Sequence, residues 1–209
     1  GCGKSTLLRM IAGLEKITAG ELQIDGQVVN DMPPSQRGIA MVFQSYALYP
    51  HKTVYDNISF PLLMAKRSKA EIEEKVTNAA EILDLTKYLK RYPKELSGGQ
   101  RQRLAIARSI LPESQVLVFD DSTAAIDAAT EQRIRHAIQE TVAERTIIII
   151  AHRLTSLMHA NEILFLEEGR ILERGGHAEL TALDGRYAAL YRLQTTQTGD
   201  DNLPSEAPQ

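Results

Sequence analysis

The first six residues, Gly1-Cys2-Gly3-Lys4-Ser5-Thr6, fit the last part of a phosphate-binding loop. In the full pattern, G-x-x-x-x-G-K-[ST], backbone N–H groups surround the phosphates, the lysine reaches the β- and γ-phosphates, and the hydroxyl ligates Mg²⁺. Gly1 and Gly3 let the backbone approach phosphate oxygens closely. The segment therefore predicts binding of ATP with Mg²⁺ through Lys4 and Ser5. The front of the pattern and its strand are not in this sequence, so we expect the isolated chain to bind ATP weakly.

Two aspartates and one histidine follow the C-terminal ends of two short apolar runs. Val116–Phe119 leads into Asp120 and Asp121, and Thr146–Ala151 leads into His152. Continuous β-branched runs of this length are typical of strands buried on both faces of a parallel sheet. Open α/β sheets bind ligands at the carboxyl ends of such strands. We therefore expect the side chains at these strand ends to lie at a ligand site.

The elements that must position these side chains alternate between strands and helices, as in an α/β fold. Strands are predicted at Glu21–Ile24, Gln27–Val29, Ile39–Phe43, Val116–Phe119, Thr146–Ala151, Ile163–Leu166 and Arg170–Leu172. Helices are predicted at Leu7–Ala12, Ala70–Leu83, Asp127–Thr141 and Tyr187–Gln194, and from Leu96–Gln100 to about Leu111. Asp25-Gly26 and Glu168-Gly169 indicate hairpin turns. The helical pattern between about 54 and 110 predicts a helical lobe inserted into the sheet core.

Composition excludes several classes of protein. The 209 residues carry 24 basic and 27 acidic side chains, which give a net charge of −3. This balance lacks the excess of basic side chains that is typical of proteins that bind nucleic acid. The single cysteine, Cys2, excludes an internal disulfide and fits a reducing compartment. No run approaches the ~20 apolar residues that a membrane helix needs. Thr195–Gln209 is polar, contains two prolines and is predicted to be a disordered tail.

Five further features follow the phosphate loop in a fixed order and carry a family resemblance. They are Gln44 after Ile39–Phe43, the segment Leu96-Ser97-Gly98-Gly99-Gln100, the strand ending in Asp120, the segment Ala124-Ala125-Ile126-Asp127, and His152. In this order and spacing the chain resembles the nucleotide-binding domain of ABC transporters over residues 1 to about 194. The matches are to the Q-loop, signature motif, Walker B, D-loop and H-loop of that family.

The resemblance implies an α/β P-loop NTPase core with a mostly parallel sheet, a β-rich edge and a helical subdomain near 54–110. It implies catalytic roles for Asp121, His152 and Gln44, and Mg²⁺ binding by Ser5, Gln44 and Asp120. The nucleotide-binding residues it implies are Gly1, Cys2, Gly3, Lys4, Ser5, Thr6, Ser97, Gly98, Gly99, Gln100 and Asp127, of which the Ser97–Gln100 turn faces the nucleotide of a second subunit. ATP and Mg²⁺ are the cofactors, and the partners are a second ABC ATPase subunit and transmembrane transporter subunits at the cytoplasmic face of the cell membrane.

Asp121 departs from the family, which has a glutamate there that orients the attacking water. One methylene less retracts the carboxylate by about 1.5 Å, and misplacement near 1 Å can cost about 10²-fold. We expect slow hydrolysis and pairing with a different, competent subunit. The alternatives are a nucleotide-binding regulatory half, an inactive truncated fragment, and a non-transport ABC protein acting on DNA or ribosomes, which the acidic balance disfavours.

A second departure concerns the type of transporter. Met41–Pro50 is similar to the stand-alone ATPase subunits of sugar and glycerol-phosphate importers, whereas Asp120–Thr123, Ala151–Leu154 and Glu168–Ile171 are similar to exporter ATPase domains. The helical lobe that would dock on the membrane partner is importer-like. The sequence leaves the direction of transport, the cargo, and the choice between homodimer and heterodimer open.

Overall fold

The computed structural model describes residues 2–43, 45–112, 114–120, 145–151 and 154–199. The predictions made for Gly1, Gln44, Asp121, Asp127 and His152 lie outside the described residues, as does the helix predicted at Asp127–Thr141. The chain divides into two compact units, one within Ser5–Ile150 and one formed by Gly1–Lys4 with Ala151–Gln209.

The larger unit is built on a parallel sheet of three strands, β3 (Ile39–Val42), β4 (Val116–Asp120) and β5 (Thr146–Ile150). The strands lie side by side in that order. They are aligned at their starts, since Ile39 pairs with Val116 and Val116 with Thr146. Alternate side chains of β4 enter two different cores, as a period of two requires. Val116 and Val118 pack with Leu8, whereas Leu117 and Phe119 join a cluster with the helical lobe.

The helix that follows the phosphate loop, α1 (Lys4–Ile11), packs on the Val116–Val118 face of this sheet through Leu8 and Ile11. A short antiparallel hairpin comes next, with β1 (Gln23–Ile24) and β2 (Gln27–Val28). Its turn residues Asp25 and Gly26 have φ values of 50° and 72°. These left-handed values confirm the turn that the Asp-Gly pair predicts.

Three helices form the lobe on the opposite face of the sheet: α2 (Val54–Met64), α3 (Lys69–Ile82) and α4 (Gly98–Ile110). Each begins at a hydroxyl residue, Thr53, Ser68 or Ser97, whose side chain accepts a backbone N–H of the first turn. Such caps satisfy donors that the helix leaves unpaired. Short 3₁₀ turns at Thr86–Tyr88 and Pro93–Glu95 connect α3 to α4.

The smaller unit contains an antiparallel hairpin and two helices. The hairpin consists of β6 (Ile163–Glu167) and β7 (Arg170–Gly175), and the helices are α5 (His177–Ala182) and α6 (Arg186–Gly199). A 3₁₀ turn at Leu154–Leu157 precedes the hairpin. The core of this unit is made by Leu154, Ile163, Leu180 and Tyr187.

Two expectations need correction. The predicted tail does not start at Thr195, because α6 continues to Gly199. The hydroxyls of Thr195 and Thr196 both donate to the Arg192 carbonyl, so these polar side chains are satisfied within the helix. The strand β5 is not buried on both faces, since Ile147 and Ile149 are 38% and 41% exposed. Among the described residues β5 pairs with β4 alone, at the edge of the sheet.

Candidate nucleotide site

The residues that lead into α1 belong to the smaller unit and are held in a tight conformation. Gly3 has φ +92°, a left-handed value that glycine adopts without strain. The Cys2 carbonyl accepts a hydrogen bond from the backbone N–H of Gly169 at 3.2 Å. Lys4 Nζ donates to Cys2 Sγ at 2.8 Å, and this hydrogen bond lowers the pKa of the Cys2 thiol. The lysine that the motif assigns to phosphate is thus bonded to a neighbouring thiol.

Ser5 and Thr6 lie in the first turn of α1, and both side chains are exposed. Their hydroxyls make no hydrogen bond to any of the residues that the structure describes. No acidic residue occupies this first turn. The unpaired N–H groups and the dipole of the helix favour an anion there, so this end of α1 is compatible with phosphate.

The other end of α1 is anchored by a buried arginine that the sequence analysis did not single out. Arg37 Nη1 donates to the carbonyl oxygens of Met10 and Ile11 at 2.8 and 3.0 Å. Its remaining guanidinium nitrogens donate to the carbonyls of Asn30 and Met32. A cation near the last carbonyls of a helix opposes the negative end of the helix dipole. Arg37 therefore fixes the C-terminal turn of α1.

This anchor determines which way α1 runs across the sheet. Arg37 lies two residues before β3 begins, so the last turn of α1 sits at the amino edge of the parallel strands. Because Leu8 packs on the sheet face, the first turn points towards the carboxyl edge. Eight helical residues rise about 12 Å, and the five residues of β4 span about 16 Å, so the two elements are comparable in length. The start of α1 and the end of β4 therefore lie at the same edge.

Asp120 is the last residue of β4 and shares a face with Val116 and Val118, since side chains alternate along a strand. That face is the one covered by α1. From this packing we infer that Asp120 and Ser5 lie at the same edge and on the same face of the sheet. Within the described parts of the chain, no group of three His, Cys, Asp or Glu side chains could hold a metal ion. Mg²⁺ would depend on Asp120, Ser5, phosphate oxygens and water, which suits its preference for oxygen ligands and retained water.

The Ser97–Gln100 turn begins α4 with a reciprocal capping box. Ser97 Oγ accepts the Gln100 N–H at 3.3 Å, and Gln100 Oε1 accepts the Ser97 N–H at 2.8 Å. A Cβ atom added to Gly98 or Gly99 would meet no atom of the described residues within 4 Å. Neither glycine has a left-handed φ. Packing inside the chain therefore gives no reason for glycine at either position, although glycine weakens a helix.

The structure does not bring this turn to the Ser5–Asp120 site. Helix α4 packs with Leu117 and Phe119 on one face of the sheet, and α1 packs with Val118 on the other. The helices that carry the two groups of predicted nucleotide-binding residues therefore pack on opposite faces of the same sheet.

Two arginines contribute contacts that no motif indicated. Arg37 anchors α1, and Arg108 on α4 donates to the carbonyl of Ala47, 61 residues away. Their acceptors are backbone carbonyls, which every residue has, so residue type does not indicate them.

Among the described residues, no helix is both long and apolar enough to cross a bilayer.

Comparison with known proteins places these features in context. The family model described as ABC transporter matches residues 1–124. The chain is 52% identical over 184 residues to the alpha-glucoside transport ATP-binding protein AglK of Rhizobium meliloti (strain 1021), covering 86% of this chain and 51% of AglK. It is 50% identical over 183 residues to the maltose/maltodextrin import ATP-binding protein MalK of Yersinia pestis bv. Antiqua (strain Antiqua), covering 86% of this chain and 50% of MalK. The chain thus spans about half the length of these curated relatives.

A solved structure of a bacterial Atm1-family ABC exporter with ATP bound superposes with a TM-score of 0.80 at 31% identity. The match covers 92% of this chain and 35% of the exporter. Together with the parallel sheet β3-β4-β5, this similarity confirms the predicted α/β fold of the P-loop NTPase type.

Proposed function

The chain belongs to the ABC transporter family, and from this premise we propose that it binds ATP with Mg²⁺ and hydrolyses it to drive a membrane transporter. The observation that supports the proposal is the packing of Leu8 of α1 against Val116 and Val118 of β4, from which we infer that Ser5 and Asp120 lie near each other. Those are the hydroxyl and the carboxylate that a P-loop NTPase directs at Mg²⁺.

Each residue of the proposed site has a distinct task. Ser5 and Asp120 would hold Mg²⁺, which would neutralise charge on the phosphate oxygens. Lys4 leaves the Cys2 thiol and neutralises β- and γ-phosphate oxygens as a point charge. Gln44 and His152 contact the γ-phosphate side, and Asp121 orients the attacking water. Because phosphoryl transfer needs little covalent chemistry from the protein, positioning and charge stabilisation account for the rate.

We further propose that two subunits close around the nucleotides, with the α4 turn of one subunit facing the site of the other. The packing of α1 and α4 on opposite faces of the sheet supports this. The open space around Gly98 and Gly99 supports it too, because absent side chains let an external phosphate approach the N–H groups of α4. Closure on ATP and reopening after hydrolysis would move the membrane partner.

The identities to AglK and MalK, whose names describe transport and import of glucosides and maltodextrins, support a sugar importer over an exporter. In this proposal the chain lies at the cytoplasmic face of the membrane, bound to transmembrane subunits. The similarity to an exporter structure is at lower identity and reflects the shared fold. Cargo choice belongs to the transmembrane partner, so reconstitution with that partner and radiolabelled maltodextrin tests the importer assignment.

The decisive test of hydrolysis is Asp121→Glu. Restoring the methylene is expected to raise turnover by about 10- to 100-fold, since misplacement near 1 Å can cost about 10²-fold. Lys4→Ala is the negative control, because it removes the phosphate charge. A wild-type homodimer that already turns over at the ordinary ~10 s⁻¹, or no gain in Asp121→Glu, would contradict the proposed role of Asp121.

A second candidate function is a nucleotide-binding regulatory half that pairs with a catalytic subunit, which the short carboxylate of Asp121 favours. The two are separated by mixing this chain with a glutamate-bearing ABC subunit and measuring single-turnover hydrolysis. If Asp121→Asn leaves the rate of the mixed dimer unchanged, while Gly99→Ala on this chain abolishes it, the chain acts only through α4. If Asp121→Asn lowers the rate by at least tenfold, the chain hydrolyses ATP at its own site.

A further inference from the structure

The loop that follows β3, residues 46–53, starts with two strained residues. Tyr46 and Ala47 have φ values of 63° and 45°, in the left-handed region that non-glycine residues rarely occupy. Two consecutive residues of this kind need external support, because neither side chain favours the conformation. Gln44, the residue with a proposed γ-phosphate role, lies two positions before this pair. We call residues 46–53 the post-strand loop.

One support comes from α4. Arg108 Nη1 donates to the Ala47 carbonyl at 2.8 Å, and Nη2 reaches the Tyr46 carbonyl at 3.4 Å. The guanidinium also lies over the ring of Tyr49, 5.2 Å from its centroid. Burial lowers the pKa of Arg108 from its usual value. Both hydrogen-bond acceptors that the described residues offer to Arg108 are carbonyl oxygens. The two N–H donors of its planar guanidinium group, rather than an ion pair, therefore hold the strained turn.

A second support comes from α2. Asn57 is fully buried, and its Oδ1 accepts the Tyr49 N–H at 2.9 Å. Its Nδ2 donates to the carbonyls of Tyr49 and Lys52 at 3.1 and 3.0 Å. Buried amides of this kind fix backbone geometry because every polar atom is used. The post-strand loop is thus held from both sides by helices of the lobe.

We propose that Arg108 is a positioning residue that keeps the Tyr46–Ala47 turn in its left-handed conformation. Through this turn Arg108 connects the chain segment that follows Gln44 to α4, the helix that begins at Ser97. Helix α4 carries the Ser97–Gln100 turn at one end and Arg108 near the other. A displacement of α4 on engagement of a second subunit therefore pulls on the carbonyls of Tyr46 and Ala47. Only the nucleotide part of this proposal rests on the proposed function; the mechanical link stands on the contacts of Arg108.

The link is tested by amide hydrogen exchange on the full chain. The N–H groups of Tyr46, Tyr49 and Lys52 are bonded to Phe43 O, Asn57 Oδ1 and Tyr49 O. In Arg108→Gln we expect their exchange to be faster by roughly tenfold or more, the scale of losing one charge-assisted hydrogen bond. Exchange in α3 should not change. Unchanged loop exchange, or an equal rise across α2 and α3, would overturn the proposal.

A matched arginine control is Arg91→Gln in the same lobe. Arg91 lies over the Tyr88 ring at 5.0 Å and is exposed. Its removal should leave the post-strand loop as protected as in the wild type. Faster loop exchange in Arg91→Gln would show that any loss of cation–π contact loosens the lobe, which contradicts a specific role for Arg108.

Substitutions at Ala47, whose side chain is exposed, separate strain from packing. Asparagine tolerates the left-handed region and valine does not. We expect Ala47→Asn to slow loop exchange several-fold in the Arg108→Gln background, and Ala47→Val to speed it in the wild type. If neither substitution shifts the exchange, Arg108 does not act by holding a strained turn.

The nucleotide arm repeats these measurements with Mg-ATP and a second ABC subunit. In the wild type we expect protection of the post-strand loop on ATP addition, and in Arg108→Gln a loss of most of it while ATP affinity at the Lys4 site is kept. If the wild type shows no response to ATP, the proposed function fails, yet the mechanical link is still decided by the exchange of the nucleotide-free variants.

Discussion

Replacement of Gly98 or Gly99 by alanine should make the chain more stable and less active. Both glycines are helical, and within the part of the chain that the structure describes an added Cβ would meet no atom within 4 Å. Alanine at a compatible backbone position gains about 0.4–1 kcal/mol per site over glycine. For a chain of this size about 1 kcal/mol moves Tm by about 2–4 °C, so each variant should unfold at a temperature higher by about 1–4 °C.

The functional arm measures association in Mg-ATP by sedimentation velocity. A methyl group at either position occupies the space through which a phosphate of the other subunit would reach the N–H groups of α4. We expect ATP-dependent dimerisation to weaken by at least about tenfold, the equivalent of about 1.4 kcal/mol. The opposite signs of the two effects distinguish an external contact from a structural role.

Gly13→Ala is the matched control for stability. Gly13 has φ +77°, and its added Cβ would lie 2.7 Å from Arg37 Nε. The same substitution there should cost more than about 1 kcal/mol. A Gly98→Ala or Gly99→Ala variant that loses stability as Gly13→Ala does would refute the inference from open space. Stabilised variants that dimerise normally on ATP would refute the external contact.

Two further predictions concern the ends of α1. Arg37→Ala leaves four carbonyl hydrogen bonds unmade in a buried site, so it should lower the free energy of unfolding, measured by urea titration, by about 3–5 kcal/mol. The control is Arg9→Ala, which removes only an exposed ion pair to Glu15 and should change the free energy of unfolding by less than about 1 kcal/mol. Because the hydrogen bond from Lys4 lowers the pKa of Cys2, the thiolate should form at lower pH than in a free cysteine, so maleimide labelling should accelerate at lower pH in the wild type than in Lys4→Gln. Identical pH profiles would show that the Lys4–Cys2 contact is not populated in solution.

Local patterns predicted most of the elements that position the site. Residue type and spacing predict the Asp25-Gly26 turn, the strands ending at Asp120 and Ile150, and the helix that begins at Ser97. Each of these elements depends on residues close together in sequence, so a single sequence is enough to predict it.

Features that depend on tertiary neighbours were not predictable in this way. Four consecutive isoleucines in β5 indicate a doubly buried strand, yet only Ile148 and Ile150 pack in a core, and Ile147 and Ile149 on the other face are exposed. Arg37 and Arg108 bond to carbonyls up to 27 and 62 residues away. Every residue has a carbonyl, so no sequence signal marks those acceptors.

The roles of Asp121 and His152, which lie outside the described residues, remain predictions.

The cap at the start of α4 has a consequence for interpreting variants of Ser97. Its oxygen is used as an acceptor for the Gln100 N–H, while the hydroxyl hydrogen has no acceptor among the residues that the structure describes. One atom therefore supports the helix and the other is available to a ligand, so neither task interferes with the other. Ser97→Ala removes both at once, and its phenotype would report a mixture of helix fraying and lost contact. Ser97→Asp keeps the cap but removes the donor and adds a negative charge that repels phosphate, whereas Ser97→Thr keeps both cap and donor. Comparing the two variants separates the role of Ser97 in capping α4 from its contact with the ligand.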